Sequence, residues 1–351
     1  MSENKINMKT NPILLRFLIA LLFVGFMVSC STDRLSPIES NPNTGIVIGL
    51  PLPTPPPAKD TIPDIKTKVF LNGNSGLGLE KLEPLRRKIT VNSNADLPII
   101  GPKGTKLYFN NYTLVKPNGA GVNYPFDVEI IELYTFKDML LYSKPTTSFD
   151  KIIVTAGSFY VNVTQGNETL RPNPNFYPEI QVPSAKALDT QMKIFYEGFD
   201  AVERATWVVS DSTQGPQVAG PGPTKEREGI TFFGKGYYSL FPSKFGWINC
   251  DKFYNYTGEK TQVKFASEYP DLKNMLVFMI LPKINSIIQV FDGLSLAVPV
   301  GEEVKLVVVG KTEKEEYYSF YEEFKVAPNQ TRKILLAPTT EKEFYALLEK
   351  L

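Results

Sequence analysis

Phe126-Asp127-Val128-Glu129-Ile130-Ile131-Glu132-Leu133 decides the fold class. Apolar and acidic residues alternate over its first five positions, the two-residue period of a strand with one face buried and one wet. Working outward, Lys88-Ile89-Thr90-Val91-Asn92, Thr105-Lys106-Leu107-Tyr108-Phe109 and Ser158-Phe159-Tyr160-Val161-Asn162-Val163 alternate or nearly alternate. Gly101-Pro102, Pro117-Asn118-Gly119 and Gly166-Asn167 mark turns between them. Phe136 to Leu141 reads as one short helical turn. Two packed sheets are the natural solution for such a run.

Further along, residues 183–260 are less regular. Thr206–Val209 and Gly236–Phe241 read as strands flanking a loop, 209–228, rich in Gly, Pro, Ser and charge. From Thr261 to Pro338 the strand pattern returns. Its longest apolar run, Met275 to Leu281, has seven residues. That is far short of the roughly 20 a membrane helix needs, and it fits a buried strand. Glu316 to Val326 carries Tyr317, Tyr318, Phe320 and Tyr321, read as one aromatic face in the core and one solvated face. The chain closes with a helix. Thr340 and Glu343 form a capping box, and Phe344, Leu347, Leu348 and Leu351 make an apolar stripe that packs on the sheets. The expectation is an all-β protein: two or more immunoglobulin-like β-sandwich domains in tandem with a short C-terminal helix. The first covers residues 67–185, an irregular β region spans 186–260, and the C-terminal sandwich with its helix spans 261–351.

Composition narrows the chemistry. The chain has 38 basic and 37 acidic residues, and a leader ending at Ser29 would take Lys5, Lys9, Arg16 and Glu3 with it. That balance argues against a nucleic-acid partner. There is no histidine. Ser-His-Asp and Cys-His catalysis, the H-E-x-x-H zinc motif and His-ligated metals are therefore excluded. No Gly-rich phosphate loop, calcium loop or nucleophile elbow appears either, and no cofactor is expected. Of the two cysteines, Cys250 in Gly246-Trp247-Ile248-Asn249-Cys250-Asp251 reads as a small buried hydrophobe in a strand.

The amino terminus carries the information on location. Lys5, Lys9 and Arg16 form a positive n-region, and Phe17 to Val28 an apolar core of 12 residues. Met27-Val28-Ser29-Cys30 resembles the lipobox of bacterial lipoproteins, with methionine where leucine is usual. The resemblance implies a signal peptide over 1–29 and acylation of Cys30, which anchors the chain in membrane lipid. Residues 30–66, with Pro51-Leu52-Pro53-Thr54-Pro55-Pro56-Pro57, read as an extended tether. Phe245-Gly246-Trp247-Ile248-Asn249-Cys250-Asp251-Lys252-Phe253-Tyr254, the turn Val298-Pro299-Val300-Gly301 and the terminal acidic helix join Cys30 in a wider likeness. Together they resemble Bacteroidetes-type envelope lipoproteins built from immunoglobulin-like or carboxypeptidase-regulatory-like β-sandwiches.

That likeness implies an outer-membrane, lipid-anchored location. Surface export in such bacteria goes with acidic residues just after the cysteine, and here only Asp33 follows, which leaves the periplasmic and surface faces both open. Asp60-Thr61-Ile62 and Asp211-Ser212-Thr213 are similar to the group's O-glycosylation sequon, making Thr61 and Ser212 candidate glycosylation sites. The expected function is a non-enzymatic binding or accessory subunit of an outer-membrane protein assembly. The alternatives are a surface glycan-binding lipoprotein and a His-independent hydrolase using two carboxylates.

Overall fold

Phe126–Leu133 forms the strand expected of it and lies second from the edge of an eight-stranded sheet. The structure, a computed structural model, describes residues 77–210, 229–231, 236–268, 273–312 and 314–351. Across this sheet run Arg87–Val91, Phe126–Leu133, Lys151–Gln165, Gly246–Phe253, Lys193–Phe199 and Ala205–Val209, every neighbour antiparallel. Thr147–Ser148 and Glu168–Thr169 add short arms to Lys151–Gln165.

One face of this sheet is covered by a five-stranded sheet, in the order Gly229–Thr231, Tyr237–Phe241, Glu179–Pro183, Lys106–Tyr108 and Ile99–Ile100. Val128, Ile130, Phe159, Val161, Ile248 and Cys250 meet Leu107, Ile180, Val182 and Leu240 between the layers. These are the in-facing positions of the alternating segments, so the period read from the sequence is the period of burial. The eight-stranded sheet draws strands from both sides of residue 185.

A second five-stranded sheet is built from Ser286–Gln289, Lys273–Leu281, Glu303–Lys311, Tyr317–Lys325 and Ala337–Thr339. Its second strand, Lys273–Leu281, explains the apolar run. Met275, Val277, Met279 and Leu281 face a core with Val304, Leu306 and Val308. Leu276, Phe278 and Ile280 point the opposite way, toward Ile131 and Leu133, the helix Phe136–Leu141 (α1) and the helix Glu341–Leu348 (α2). A strand buried on both faces has no wet side to alternate with. This shared core draws from both sides of residue 260.

The described chain is therefore all-β, in several mainly antiparallel sheets. The exception is Lys264–Ser267, which pairs parallel with Thr331–Ile334. Only two α-helices occur among the described residues, and both begin with the capping box their sequences spell, Thr135 with Asp138 and Thr340 with Glu343. The aromatic strand differs from its reading. Tyr317 and Tyr321 pack against the shared core while Tyr318, Phe320 and Phe324 pack against the opposite core, so both faces carry packed aromatics and only Glu323 and Lys325 stay exposed. The cause is α2, whose Phe344 and Leu348 join Tyr317 in the shared core.

Candidate functional site

Cys30, Thr61 and Ser212, the positions the sequence nominates for modification, lie outside the described residues. Within those residues, three places gather functional chemistry, and their geometry separates them.

The first is a pair of buried acids at the start of α1. Glu132 accepts the backbone N–H groups of Lys103 at 2.8 Å and Thr105 at 2.9 Å. Asp138 accepts those of Tyr134 at 3.1 Å and Thr135 at 2.9 Å, and Lys103 Nζ lies 2.7 Å from its other oxygen. A Cβ on Gly101 would come within 2.7 Å of the Glu132 carboxyl, so the 101–105 turn closes directly over it. Both carboxylates act as backbone caps. Nearby, Lys137 binds Glu83 at 2.8 Å and Glu349 at 2.9 Å, and Tyr345 at 3.0 Å. Burial would lower the Lys137 ammonium, but those partners outweigh it and raise it. The cluster ties α1 to α2.

The second place is the open half of the eight-stranded sheet's other face. Register sets Tyr160 beside Trp247, and Lys88, Glu129 and Asn162 in the next row. Tyr160 and Trp247 are 5.5 Å apart, ring to ring. Arg86 sits 5.3 Å over the Tyr160 ring and is held by Glu129 at 2.8 Å. Lys144 sits 4.5 Å over Trp247 and is held by Glu197. Each ring thus carries a cation, and each cation a carboxylate. A sugar stacking on those cation-covered faces would have to displace a partnered charge.

The third place is the end where two loops meet, and its aromatics are open. Leu114–Val115 pairs with Arg171–Pro172, which brings 109–113 beside 173–177. Asn110 Oδ1 accepts the Thr113 N–H at 3.0 Å, while Thr113 Oγ1 accepts the Asn110 N–H at 3.1 Å. Asn173 donates from Nδ2 to Tyr112 O at 2.7 Å and accepts the Asn175 N–H at 3.0 Å. Polar residues at turns use their side chains this way to fix the backbone. The two fixed loops hold Tyr112 at 51% and Phe176 at 47% exposure. The Asn111 and Asn175 side-chain amides beside them have no partner among the described residues. Neither loop carries a charged side chain. Chemically the end offers two apolar ring surfaces and neutral amide donors and acceptors, a set suited to an uncharged ligand or a neutral protein patch.

Sequence reasoning passed over Tyr112 and Phe176, although their signal was present as aromatics inside Asn-rich turns. Cys250 is a free, fully buried thiol, as its strand setting implied, and burial followed by the neighbouring Asp251 pushes its pKa well up. No group of three or more Cys, Asp or Glu that could hold a metal occurs among the described residues. No described helix is long and apolar enough to cross a membrane. No protein-family model, curated protein or solved structure matches the chain.

Proposed function

We propose that this chain is a non-enzymatic envelope lipoprotein, held in the outer membrane by acylated Cys30 and serving as a binding or accessory subunit of a membrane protein assembly. The observation that carries this reading is the leader itself, with its basic n-region, 12-residue apolar core and Met27-Val28-Ser29-Cys30. Tethering raises the local concentration of whatever the folded part binds. Immunoglobulin-like sandwiches in tandem are the class we assign to the layers, joined here by a common core. The uncharged end with Tyr112 and Phe176 is the surface best suited to the partner, because no ion pair has to be broken to cover it. A photo-crosslinking residue at Phe176 should capture one outer-membrane protein in stoichiometric yield in cells, and the same residue at Glu168 should not. Equal capture from both positions, or none, overturns the assignment.

A second reading is favoured by the same end. Two exposed rings with free amides and no charge fit the apolar faces and hydroxyls of a neutral glycan. An array of neutral oligosaccharides should then retain the native protein and lose a Tyr112→Ala/Phe176→Ala variant. Retention of that variant would discard the glycan reading. The hydrolase alternative draws no support from Glu132 and Asp138, whose oxygens are committed to backbone N–H groups and to the Lys103 ammonium.

A further inference from the structure

Asp251 is fully buried, on the face of Gly246–Phe253 that looks toward the C-terminal sheet. Its Oδ2 accepts the Asn249 side-chain N–H at 2.6 Å, and its Oδ1 finds no partner among the described residues. Ser158 Oγ, opposite Asn249 in register, is likewise buried and unpartnered. Such a set is costly inside a core unless it is neutral.

The place matters as much as the burial. Asp251 is paired in register with Thr155, across a bulge that makes Ala156 the extra residue. Thr155 carries the contact with the other half of the molecule. Its N–H donates to Asn285 O at 3.2 Å, and Asn285 Nδ2 donates to Thr155 O at 2.6 Å. One turn along, Ile287 donates to Thr146 Oγ1 at 2.8 Å and Thr146 N–H donates to Ile287 O at 2.7 Å.

The charges around the site are engaged elsewhere or face water. Lys193, opposite Asp251 on Lys193–Phe199, is exposed. Lys144 is bound to Glu197, Lys283 to Glu303 at 3.1 Å, and Lys252, on the opposite face, to Asp189 at 2.6 Å. The Cys250 thiol points into the other core.

We propose that Asp251 is a proton-held latch: neutral, it lets the seam between the eight-stranded sheet and the start of the Ser286–Gln289 strand close, and loss of its proton loosens that seam. Burial pushes the Asp251 carboxyl well above the usual range, with a lesser opposing contribution from Thr155. The sign follows. A carboxyl whose folded pKa is raised contributes stability that is fully present below the unfolded value near 4 and is lost as pH rises through the folded value. Between those values the folding constant falls by about tenfold per pH unit relative to a variant with no acid there.

The test compares chemical unfolding against pH for two proteins, both carrying Cys250→Ala to keep the thiol out of the titration. One retains Asp251 and the other carries Asp251→Asn. The retained acid should lose stability with rising pH, against a flat difference curve for no latch. Amide-exchange protection factors at Thr155 and Ile287, corrected for the intrinsic pH dependence of exchange, should fall over the same window, and only with Asp251 present. Parallel stability curves overturn the proposal. Should Asp251→Asn fail to fold, infrared spectra of the native chain decide alone. A protonated-carboxyl band at neutral pH that titrates with the Thr155 and Ile287 exchange supports the latch, and its absence overturns it.

Discussion

Phe126–Leu133 and Met275–Leu281 are neighbours across one core, and their sequences report different surroundings. The first alternates through Ile130 because Asp127 and Glu129 face water beside Lys88 and Arg86. From Ile131 onward it stops alternating, at the point where α1 and the C-terminal sheet begin to cover the second face. The second never alternates, because both its faces are covered along its length. The change of period inside one strand therefore marks where a third layer starts.

That difference can be broken by substitution, in a set order of effect. Phe278→Ala empties a fully buried position in the shared core and should cost ~3–5 kcal/mol in equilibrium unfolding. A cost near that of a surface site would mean the shared core is not formed. Glu132→Ala leaves the Lys103 and Thr105 N–H groups without their acceptor, and should cost about 1–3 kcal/mol in the same measurement. On the wet stretch the effect shrinks. The Thr90 hydroxyl and Lys88 hold the Asp127 carboxyl below its usual range, so its stabilisation is present above the unfolded value near 4 and fades as pH falls through the folded value. Because the half-buried Asp127 carboxylate pairs with an exposed Lys88 on a solvent-screened face, Asp127→Asn should be hard to separate from the native protein at neutral pH and flatten only a slight acid-side slope. A large loss at neutral pH would show that this face is covered after all. Smallest on stability is Tyr112→Ala/Phe176→Ala. It should leave unfolding unchanged while abolishing partner or glycan capture, and retained capture would remove that end as the site.

Much of the fold was legible because burial and period coincide. Phe126–Leu133 and α1 have the bounds the pattern implies, and the C-terminal helix opens on the capping box read at Thr340 and Glu343. What was not legible has local causes. Lys193–Phe199 shows no alternation, since Ile194 and Tyr196 enter one core while Phe195 enters another with Trp207. Only the second half of Lys151–Gln165 stood out, because the bulge at Ala156 shifts the phase midway. Gly157 there has a φ of +141° and lies under the Tyr134 ring, where a Cβ would come within 2.1 Å. Nothing in sequence period reports a ring above a glycine. The open end was missed for a similar reason, since Tyr112 and Phe176 owe their exposure to side-chain bonds of Asn110 and Asn173 and to no repeat.

The central claim, a lipid-anchored envelope protein, rests on Cys30. Mass spectrometry of the mature amino terminus purified from its native membrane tests it directly. The account predicts an acylated Cys30 as the first residue and no peptide from residues 1–29. An unmodified Cys30, or a chain still carrying the leader, would contradict it.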